Sequence, residues 1–471
     1  MLKKNNKYDN KYNKNKSSRN RYSQALGGKV IGSGGFGCVF DPALKCEGSR
    51  KREPKKISKL MTNKHAIKEY EKINLIKEKL KDIHNHKKYY LLYDATLCRP
   101  GSLTSSDLSN YIGKCKTLEK DGITKEKVNS NLDKLMLLNM PNGGIPVDDY
   151  IYSQDSIGNL KNFNNRMIEL LLYGIIPMNK KFVFHSDIKD ANILVKEEEG
   201  KLLTRLIDWG LAIEYEPFKD NEFPSEWRNR PLQFNVPFSI IIFSDSFIEK
   251  YTKYLKDGGK TDPDSLKPFV VDFIHSWIQE RGAGHYKFIN DIMFMMFSKD
   301  LTSISEGSKG QFVETNFTMH YITSYIVAVL EKYTKFKEDG SLNLREYLDN
   351  VFINIIDVYG FISSYYPLLE LLFENYDKLT DNQMEMLNLL QGIFITYLYS
   401  ERTEPVDIDD LVSYLENLGK LIDNEYNGTS ASGIKKKKRG KTTKKRLISR
   451  LNFKRQRKFR TRRLKKYLML S

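Results

Sequence analysis

The chain has 471 residues, 40% of them hydrophobic, and a formal net charge of +18. This size and apolar content allow one large core or two moderate ones, so most of the chain is expected to be globular. No run of 18 apolar residues occurs, and the first residues carry Lys and Asn where a secretory signal needs an apolar stretch, so no membrane span or secretion signal is expected. The four cysteines form no C-x-x-C pair, which favours a reducing compartment.

The positive charge is concentrated at the two ends of the chain. Residues 1–26 carry eight Lys and Arg against one Asp, and residues 434–471 carry 19 Lys and Arg with no Asp or Glu, which leaves residues 27–433 at −8. Residues 1–26 lack apolar periodicity and are expected to form a disordered basic arm. The basic tail, residues 434–471, interleaves its cations with Leu, Phe and Tyr. It suits nucleic acid or an anionic surface, a nuclear-targeting signal, or a merely solvated tail.

The first stretch of the expected folded part, Lys29–Phe40, reads KVIGSGGFGCVF. Its apolar residues, Val39 among them, flank Gly32, Gly34 and Gly37, which predicts a strand, a glycine-rich turn and a second strand. Because glycine has no Cβ, such a turn lets backbone N–H groups approach phosphate oxygens. An ordinary hairpin turn is the alternative interpretation.

A lysine on the next predicted strand is the first candidate for binding an anion. On a strand, Lys59 shares one face with Ile57 and Met61, which places an ammonium group beside apolar side chains. Lys55 and Lys56 are neighbouring alternatives.

The helix predicted over Asn63–Leu80 carries a glutamate on its apolar face. At 100° per residue Glu69 falls within the apolar stripe, whereas Glu71 falls on the far side. A buried carboxylate needs a cationic partner, so we expect Glu69 to pair with Lys59. Pairing with Lys72, or simple solvation of Glu69, is the alternative.

The middle of the chain leads to a polar loop. Tyr89–Tyr93 and Lys134–Met140 are predicted strands, and Met140–Gly144 breaks the pattern. From Leu160 to Met178 apolar residues recur at helical spacing, which predicts a core helix ending just before the loop.

Three oxygen-bearing side chains follow at short separations: Asp187, Asn192 and Asp208. Apolar runs at 193–195 and 202–207 predict a β-hairpin that returns Asp208 beside Asn192. Converging oxygen ligands suit a hard cation such as Mg²⁺, and one carboxylate remains to accept a proton.

This stretch resembles the protein-kinase catalytic loop H-R-D-x-K-x-x-N and the metal-binding turn D-F-G. The matching residues are His185, Asp187, Lys189 and Asn192, followed by Asp208-Trp209-Gly210. Asp357-Val358-Tyr359-Gly360 is similar to the family's D-[VI]-[WY]-[SG], whose aspartate anchors the backbone of the catalytic loop. Residues 212–238 have the loop composition expected of the family's activation segment. The divergent style, with Phe-Asn-x-Pro-Phe-Ser after this segment, resembles serine/threonine kinases of large double-stranded DNA viruses.

The resemblance implies an α+β, bilobal protein-kinase-like fold. A small β-rich N-lobe would span residues 27–140, and a large, mainly helical C-lobe would span residues 141–430. The usual A-P-E sequence is absent, and residues from about 240 to 345 are expected to be a helical insertion in the C-lobe.

The resemblance also implies transfer of the γ-phosphoryl group of ATP, with Mg²⁺, to Ser or Thr hydroxyls of a protein substrate. Asp187 would accept or orient the hydroxyl proton, and Lys189 would neutralise the charge on the transferred group. Asn192 and Asp208 would hold Mg²⁺. The α and β phosphates would be bound by Lys59, fixed by Glu69, and covered by the hairpin of Gly32, Gly34, Gly37 and Val39.

Other functions remain open at this point. The first alternative is a pseudokinase scaffold, which would not transfer phosphate. The second is an enzyme acting on a small molecule, and the third is a nucleic-acid-binding or packaging protein acting through its basic tail. Ser186 stands where most regulated kinases have arginine, so activity is not expected to require phosphorylation of the activation segment. The expected location is the host cytoplasm, with the nucleus or the virion as alternatives.

Overall fold

An antiparallel β-sheet region is followed by a largely helical region in the computed structural model, which describes residues 28–34, 36–219, 223–338 and 340–431. The chain divides into two compact units. Of the described residues, the first unit contains those up to Ile67 together with Ala95–Asn142, and the second contains Lys68–Asp94 and those from Gly143 onward. The predicted arm and the basic tail lie outside the described residues.

The first unit is built on a five-stranded antiparallel sheet in the order β1-β2-β3-β5-β4. Its strands are β1 (Lys29–Gly34), β2 (Gly37–Asp41), β3 (Lys56–Thr62), β4 (Thr96–Cys98) and β5 (Leu135–Pro141). Apolar side chains of β1, β2, β3 and β5 pack with Tyr111, Leu118 and Val128 into one buried core. The predicted hairpin of β1 and β2 and the predicted strands of β3 and β5 are confirmed.

The second unit is mainly helical. It contains a three-stranded sheet of β6 (Ile145–Pro146), β8 (Ile193–Glu198) and β9 (Lys201–Leu206), a pair formed by β7 (Val183–Phe184) and β10 (Ile213–Glu214), and another formed by β11 (Lys335–Phe336) and β12 (Leu342–Asn343). The α-helices among the described residues of both units are α1 (Asn63–Leu80), α2 (His86–Tyr89), α3 (Lys116–Lys120), α4 (Val147–Ser153), α5 (Lys161–Leu170), α6 (Ile176–Lys180), α7 (Asp245–Lys256), α8 (Pro263–Arg281), α9 (Tyr286–Met296), α10 (Lys309–Val313), α11 (Met319–Tyr333), α12 (Arg345–Tyr347), α13 (Ile353–Ser363), α14 (Tyr366–Glu374), α15 (Asp381–Phe394) and α16 (Ile408–Ala431). Within the described part of the chain, none of these helices is both long and apolar enough to cross a bilayer.

Local sequence signals explain where several helices begin and end. Helix α1 has the bounds predicted from its apolar period, and its buried residues recur every three to four positions. The side chain of Asp262 accepts a hydrogen bond from the backbone of Ser265 at 3.0 Å and caps α8, which ends before Gly282, a residue with φ of 82°. Thr380 and Gln383 form a capping box at the start of α15.

The strand predicted over Tyr89–Tyr93 is wrong. Residues His86–Tyr89 form the short helix α2, and Tyr90 makes a single bridge with Leu206. The phenol of Tyr90 is buried and donates a hydrogen bond to the carbonyl of Gly174 at 2.8 Å. The aromatic residues that suggested a strand are thus buried by tertiary packing, which a short apolar run does not distinguish from strand pairing.

The four cysteines pair across the first unit. Cys38 is bonded to Cys115, 77 residues away, and Cys46 is bonded to Cys98, 52 residues away. The sheet brings these pairs together, which no local C-x-x-C spacing can reveal. Because disulfides persist mainly in oxidising environments, the cysteines do not support the reducing compartment expected from the sequence.

Candidate functional site

The loop between β7 and β8 brings together three of the predicted site residues. Lys189 Nζ lies 2.7 Å from Asp187 Oδ2. Asn192 Nδ2 donates to the same carboxylate oxygen at 3.0 Å and to the backbone carbonyl of Asp187 at 2.8 Å. Asp187 and Asn192 are both buried, with 7% and 5% of their surface exposed. Residues spaced two and five positions apart thus form one hydrogen-bonded cluster.

The second carboxylate oxygen of Asp187 faces another set of partners. Its Oδ1 accepts a hydrogen bond from Asn235 Nδ2 at 2.9 Å and lies 3.9 Å from Arg230 Nη2. Burial by itself raises the pKa of Asp187, but the cations of Lys189 and Arg230 and the hydrogen bonds outweigh that effect and hold the pKa below its usual value. Asp187 is therefore ionised at neutral pH and fixed through both oxygens.

The hairpin of β8 and β9 returns the chain to this loop. The strands pair antiparallel over their length, and the backbone N–H of Ile207 donates to the carbonyl of Asn192 at 3.0 Å. Asp208 is the next residue and has a left-handed φ of 62°. His185 Nε2 lies 2.9 Å from the carbonyl oxygen of Ile207, and because a carbonyl only accepts, the ring proton is assigned to Nε2. The predicted return of Asp208 beside Asn192 is confirmed at the level of backbone pairing.

Helix α13 supports the loop with an aspartate and a glycine. Asp357 accepts hydrogen bonds from the backbone N–H groups of His185 and Ser186, each at 2.8 Å. A Cβ on Gly360 would lie 2.6 Å from the carbonyl oxygen of Ile188, so glycine is required where the helix meets the loop. The anchoring role expected for Asp357 is confirmed by these bonds.

Burial determines the protonation behaviour of Asp357. It raises the pKa of this carboxyl group, while His185 and hydrogen bonds from Asn179 and the loop backbone act in the opposite direction. Asn179 Nδ2 donates to Asp357 Oδ2 at 2.8 Å. Both carboxylate oxygens therefore have hydrogen-bond donors, as burial of a charge requires.

Three residues in the segment after β10 also contact the loop, and sequence reasoning assigned them no role. Trp227 Nε1 donates to Ser186 Oγ at 2.9 Å, and Arg230 Nη1 donates to the carbonyl of Ser186 at 2.7 Å. Asn235, already bonded to Asp187, is the third, and all three side chains are buried. The runs that contain them, Trp227–Pro231 (WRNRP) and Phe234–Pro237 (FNVP), have the composition of a loop, and nothing local indicates that their polar groups turn inward.

In the first unit, β3 places Lys59 directly opposite Val39 of β2. Opposite residues of an antiparallel pair share one face of the sheet, so these two predicted phosphate-site residues are neighbours. Lys59 is 5% exposed. Of the two alternatives, Lys55 is exposed, and Lys56 is half-buried and forms a surface ion pair. Burial therefore favours Lys59 among these three lysines.

The glycines of the first hairpin differ in their surroundings. Gly34 pairs with Gly37 at the end of the hairpin. A Cβ on Gly37 would lie 2.2 Å from the carbonyl oxygen of Leu60, so packing against β3 requires glycine there. At Gly32 no described atom lies within 4 Å of such a Cβ. Gly37 thus has a structural role, whereas Gly32 leaves room for a ligand.

Glu69 lies on the buried side of α1, as the helical period predicts. It is 7% exposed, whereas Glu71 is exposed. Solvation of Glu69 is therefore wrong as an alternative. Lys72, its other possible partner, extends to Glu226 and forms an ion pair at 2.9 Å. Pairing of Glu69 with Lys59 stays a prediction.

Asn192 and Asp208 carry amide and carboxylate oxygens, the ligand types that a hard divalent cation prefers. Because the amide nitrogen of Asn192 donates to Asp187, its amide oxygen is the atom left to act as a ligand. Among the residues that the structure describes, no group of three or more His, Cys, Asp or Glu is arranged to hold a metal ion. Two protein ligands suit Mg²⁺, which keeps water and substrate phosphate oxygens in its coordination shell.

His285, in the turn between α8 and α9, is a further residue that sequence reasoning missed. Its backbone N–H donates to the carbonyl of Leu232 at 2.8 Å, and its ring centroid lies 5.3 Å from that of Phe234. Burial lowers the pKa of His285, Lys189 acts in the same direction, and Asp187 opposes them. The region 240–345 therefore contributes a neutral imidazole within electrostatic range of the loop.

A scan against protein-family models and a search of curated proteins both found no match for this chain. Distances, burial and charge within the chain itself are therefore the basis for assigning a function.

Proposed function

We propose that this chain is an ATP-dependent protein kinase that transfers the γ-phosphoryl group of ATP to serine or threonine hydroxyls of proteins. The observation that carries this proposal is the cluster of Asp187, Lys189 and Asn192, with Asp208 one residue beyond the backbone bond to Asn192. A loop with only a structural role has no need for a buried, ionised carboxylate between two cations, because desolvating such charges is costly. Phosphoryl transfer uses such a group to orient the attacking hydroxyl.

Asp187 would accept a hydrogen bond from the acceptor hydroxyl and orient its oxygen towards the phosphoryl group. The lowered pKa makes Asp187 a weak base. A weak base suffices, because phosphoryl transfer passes through a loose transition state in which positioning and electrostatic stabilisation dominate. Lys189, 2.7 Å from the Asp187 carboxylate, would stabilise negative charge on the transferred group.

ATP and Mg²⁺ are the proposed cofactors, and together they supply the transferable phosphoryl group. Asn192 and Asp208 would hold Mg²⁺ in the second unit. In the first unit, Lys59, which is buried whereas Lys55 is exposed and Lys56 half-buried, and the backbone of the hairpin at Gly32 would bind the phosphates. The ion pair of Lys59 and Glu69 belongs to the same proposal.

The finer assignments follow from this function. Residues 27–140 would be a kinase-like N-lobe and residues 141–430 the C-lobe, with the helices at about 240–345 as an insertion. An intracellular location stays a prediction. Of the locations expected from the sequence, a virus particle suits the two disulfides better than the reducing cytoplasm does.

The test is phosphate transfer from labelled ATP with Mg²⁺, to the full chain itself and to Ser/Thr-rich acceptors. Asp187→Asn and Asp208→Ala should abolish transfer, and the control Asp264→Asn, whose side chain is 96% exposed, should retain it. Transfer by both of the first two variants would contradict the proposal. Absence of transfer by the wild type, with ATP bound, would favour a pseudokinase scaffold. Transfer only to small molecules would mean that the substrate is a small molecule and not a protein.

Binding of nucleic acid or an anionic surface is a second candidate function, favoured by the 19 Lys and Arg in residues 434–471. Such a tail gains affinity from release of counterions, so binding should weaken steeply with salt. Comparing the full chain with one lacking residues 434–471, for DNA binding at two salt concentrations and for phosphate transfer, separates this role from catalysis. Equal binding by the two chains would exclude the tail as the binding segment.

A further inference from the structure

Ser186 immediately precedes Asp187, and two side chains from the segment after β10 bind it. Its φ of 62° is left-handed, which is uncommon for a residue other than glycine. Trp227 Nε1 donates to its hydroxyl at 2.9 Å, and Arg230 Nη1 donates to its carbonyl at 2.7 Å. Ser186 is 1% exposed. The unusual backbone conformation is thus held by donors from outside the loop.

Arg230 is a buried cation, 7% exposed. Arginine stays charged in proteins, so burial requires compensating negative charge. Arg230 Nη2 lies 3.9 Å from Asp187 Oδ1, and Asp357 also contributes electrostatically. Its Nε donates to Gln233 at 2.8 Å, and Trp277 Nε1 donates to its backbone carbonyl at 3.1 Å. The guanidinium group is therefore fixed among the carboxylates that shape the catalytic loop.

Trp227 is anchored independently of these polar contacts. Its side chain is fully buried, and its ring centroid lies 5.8 Å from that of Phe184, 5.5 Å from Tyr215 and 5.3 Å from Phe352. Aromatic packing of this kind holds the indole N–H in place. The donor to the hydroxyl of Ser186 is consequently part of the core.

We propose that Arg230 is a positioning residue for phosphoryl transfer. It holds the loop through the carbonyl of Ser186 and faces the carboxylate of Asp187, and Trp227 assists it through the Ser186 hydroxyl. This inference rests on the proposed function of the same site. It reverses the arrangement of regulated kinases, in which an arginine at the position of Ser186 binds a phosphate on the activation segment. Here the segment itself carries the cation, so the working conformation is assembled by folding.

The test compares the full chain with Arg230→Met, Arg230→Lys and the control Arg228→Met. Arg228 is two residues away and forms a partly exposed ion pair with Asp245 at 2.8 Å. The kcat and the KM for ATP are measured at neutral pH, with and without prior phosphatase treatment, together with hydrogen exchange of the amides in residues 184–192.

Arg230→Met should lower kcat by about 10²-fold, because misplacing a reacting group by about 1 Å costs that much, with little change in KM for ATP. Arg230→Lys should recover part of the lost kcat, since an ammonium group can still donate to the carbonyl of Ser186. The control Arg228→Met should match the wild type, and phosphatase treatment should leave wild-type activity unchanged.

An unchanged kcat in Arg230→Met overturns the inference, and so does a fall in kcat without faster amide exchange in residues 184–192. So does loss of wild-type activity on phosphatase treatment. If Arg230→Met does not fold, Arg230→Lys and Trp227→Phe take its place. Trp227→Phe should retain the aromatic packing but lower kcat and raise amide exchange at Ser186, and unchanged values in it would count against the proposal.

Hydrogen exchange separates this inference from the function on which it rests. A wild type without transfer activity would refute the proposed kinase. Faster exchange confined to residues 184–192 in Arg230→Met would still establish that Arg230 holds this loop. Unchanged exchange in an active enzyme with unchanged kcat would refute the positioning role alone.

Discussion

Gly360 in α13 packs directly on the backbone of Ile188, the residue that follows Asp187 in the loop between β7 and β8. A Cβ at position 360 would lie 2.6 Å from the carbonyl oxygen and 2.9 Å from the Cβ of Ile188. Real Cβ atoms do not approach backbone oxygens so closely, so any larger residue must displace the helix or the loop.

We expect Gly360→Ala to destabilise the protein by about 1–3 kcal/mol, the usual penalty for overpacking, and to lower the rate of phosphate transfer. Denaturant unfolding and initial-rate measurements check this. The matched control is Gly392→Ala in α15, where no described atom lies within 4 Å of the added Cβ. That variant should gain up to about 1 kcal/mol from helix propensity. Equal effects of the two substitutions would contradict the packing argument.

Asp190 gives the stability of the protein a pH dependence. Burial, together with the nearby carboxylate of Asp148, raises its pKa to about 6, and Lys189 acts in the opposite direction. Between about pH 4 and pH 6 the folded state retains a proton that the unfolded state has released, so this group lowers the free energy of unfolding as the pH rises through that window.

Asp190→Asn removes this ionisation and should stabilise the protein at pH 7.5 by on the order of 1–3 kcal/mol, with little effect at pH 4. Urea unfolding at the two pH values measures the difference. The exposed control Asp264→Asn should show no such pH-dependent gain. An equal gain in the free energy of unfolding at both pH values would mean that Asp190→Asn stabilises the protein for a reason other than removal of a buried charge.

Lys59 should determine the affinity for ATP. Replacing it with Met removes charge-assisted hydrogen bonds to phosphate, worth about 1.5–3 kcal/mol, so the Kd for ATP should rise by about 10- to 100-fold. Titration calorimetry with ATP and Mg²⁺ measures this directly. Lys55→Met alters an exposed lysine four residues earlier and should leave the Kd unchanged. If Lys55→Met weakened binding instead, the assignment of Lys59 would be wrong.

The disulfides should contribute strongly to the stability of the first unit. Closing loops of 77 and 52 residues removes unfolded-state entropy worth about 4 kcal/mol each in the chain-entropy model. Thermal unfolding should therefore shift to lower temperature in the presence of a reductant. Mass spectrometry after iodoacetamide treatment should find four modified cysteines only after reduction and unfolding. Labelling of the unreduced, unfolded protein would show that the thiols are free.

Local patterns predicted much of the fold and part of the site. The apolar period predicted both ends of α1 and the inward side of Glu69, because helix geometry fixes which positions share a face. Two short strands predicted the hairpin that returns Asp208 to Asn192, because register and turn length leave few other arrangements. These are relationships within about twenty residues of sequence.

The remaining contacts depend on tertiary packing. Arg230 lies 44 residues from Ser186 in sequence, and an arginine in a polar loop is ordinarily solvated, so nothing local predicts its burial. The same holds for the disulfide between Cys38 and Cys115, whose partners come together only when the sheet forms. Tyr90 shows the opposite error, in which the sequence pattern predicts a feature that the structure lacks. The aromatic residues around it suggested a strand, but Tyr90 is buried by tertiary packing without belonging to a strand.

The contacts around Ser186 also restrict how this protein can evolve. Its surroundings are filled by the indole of Trp227 and the guanidinium of Arg230, so an arginine introduced at position 186 would bury a second cation beside the first. Such a substitution alone is expected to destabilise the folded protein, so an arginine at position 186 requires a compensating change at position 230.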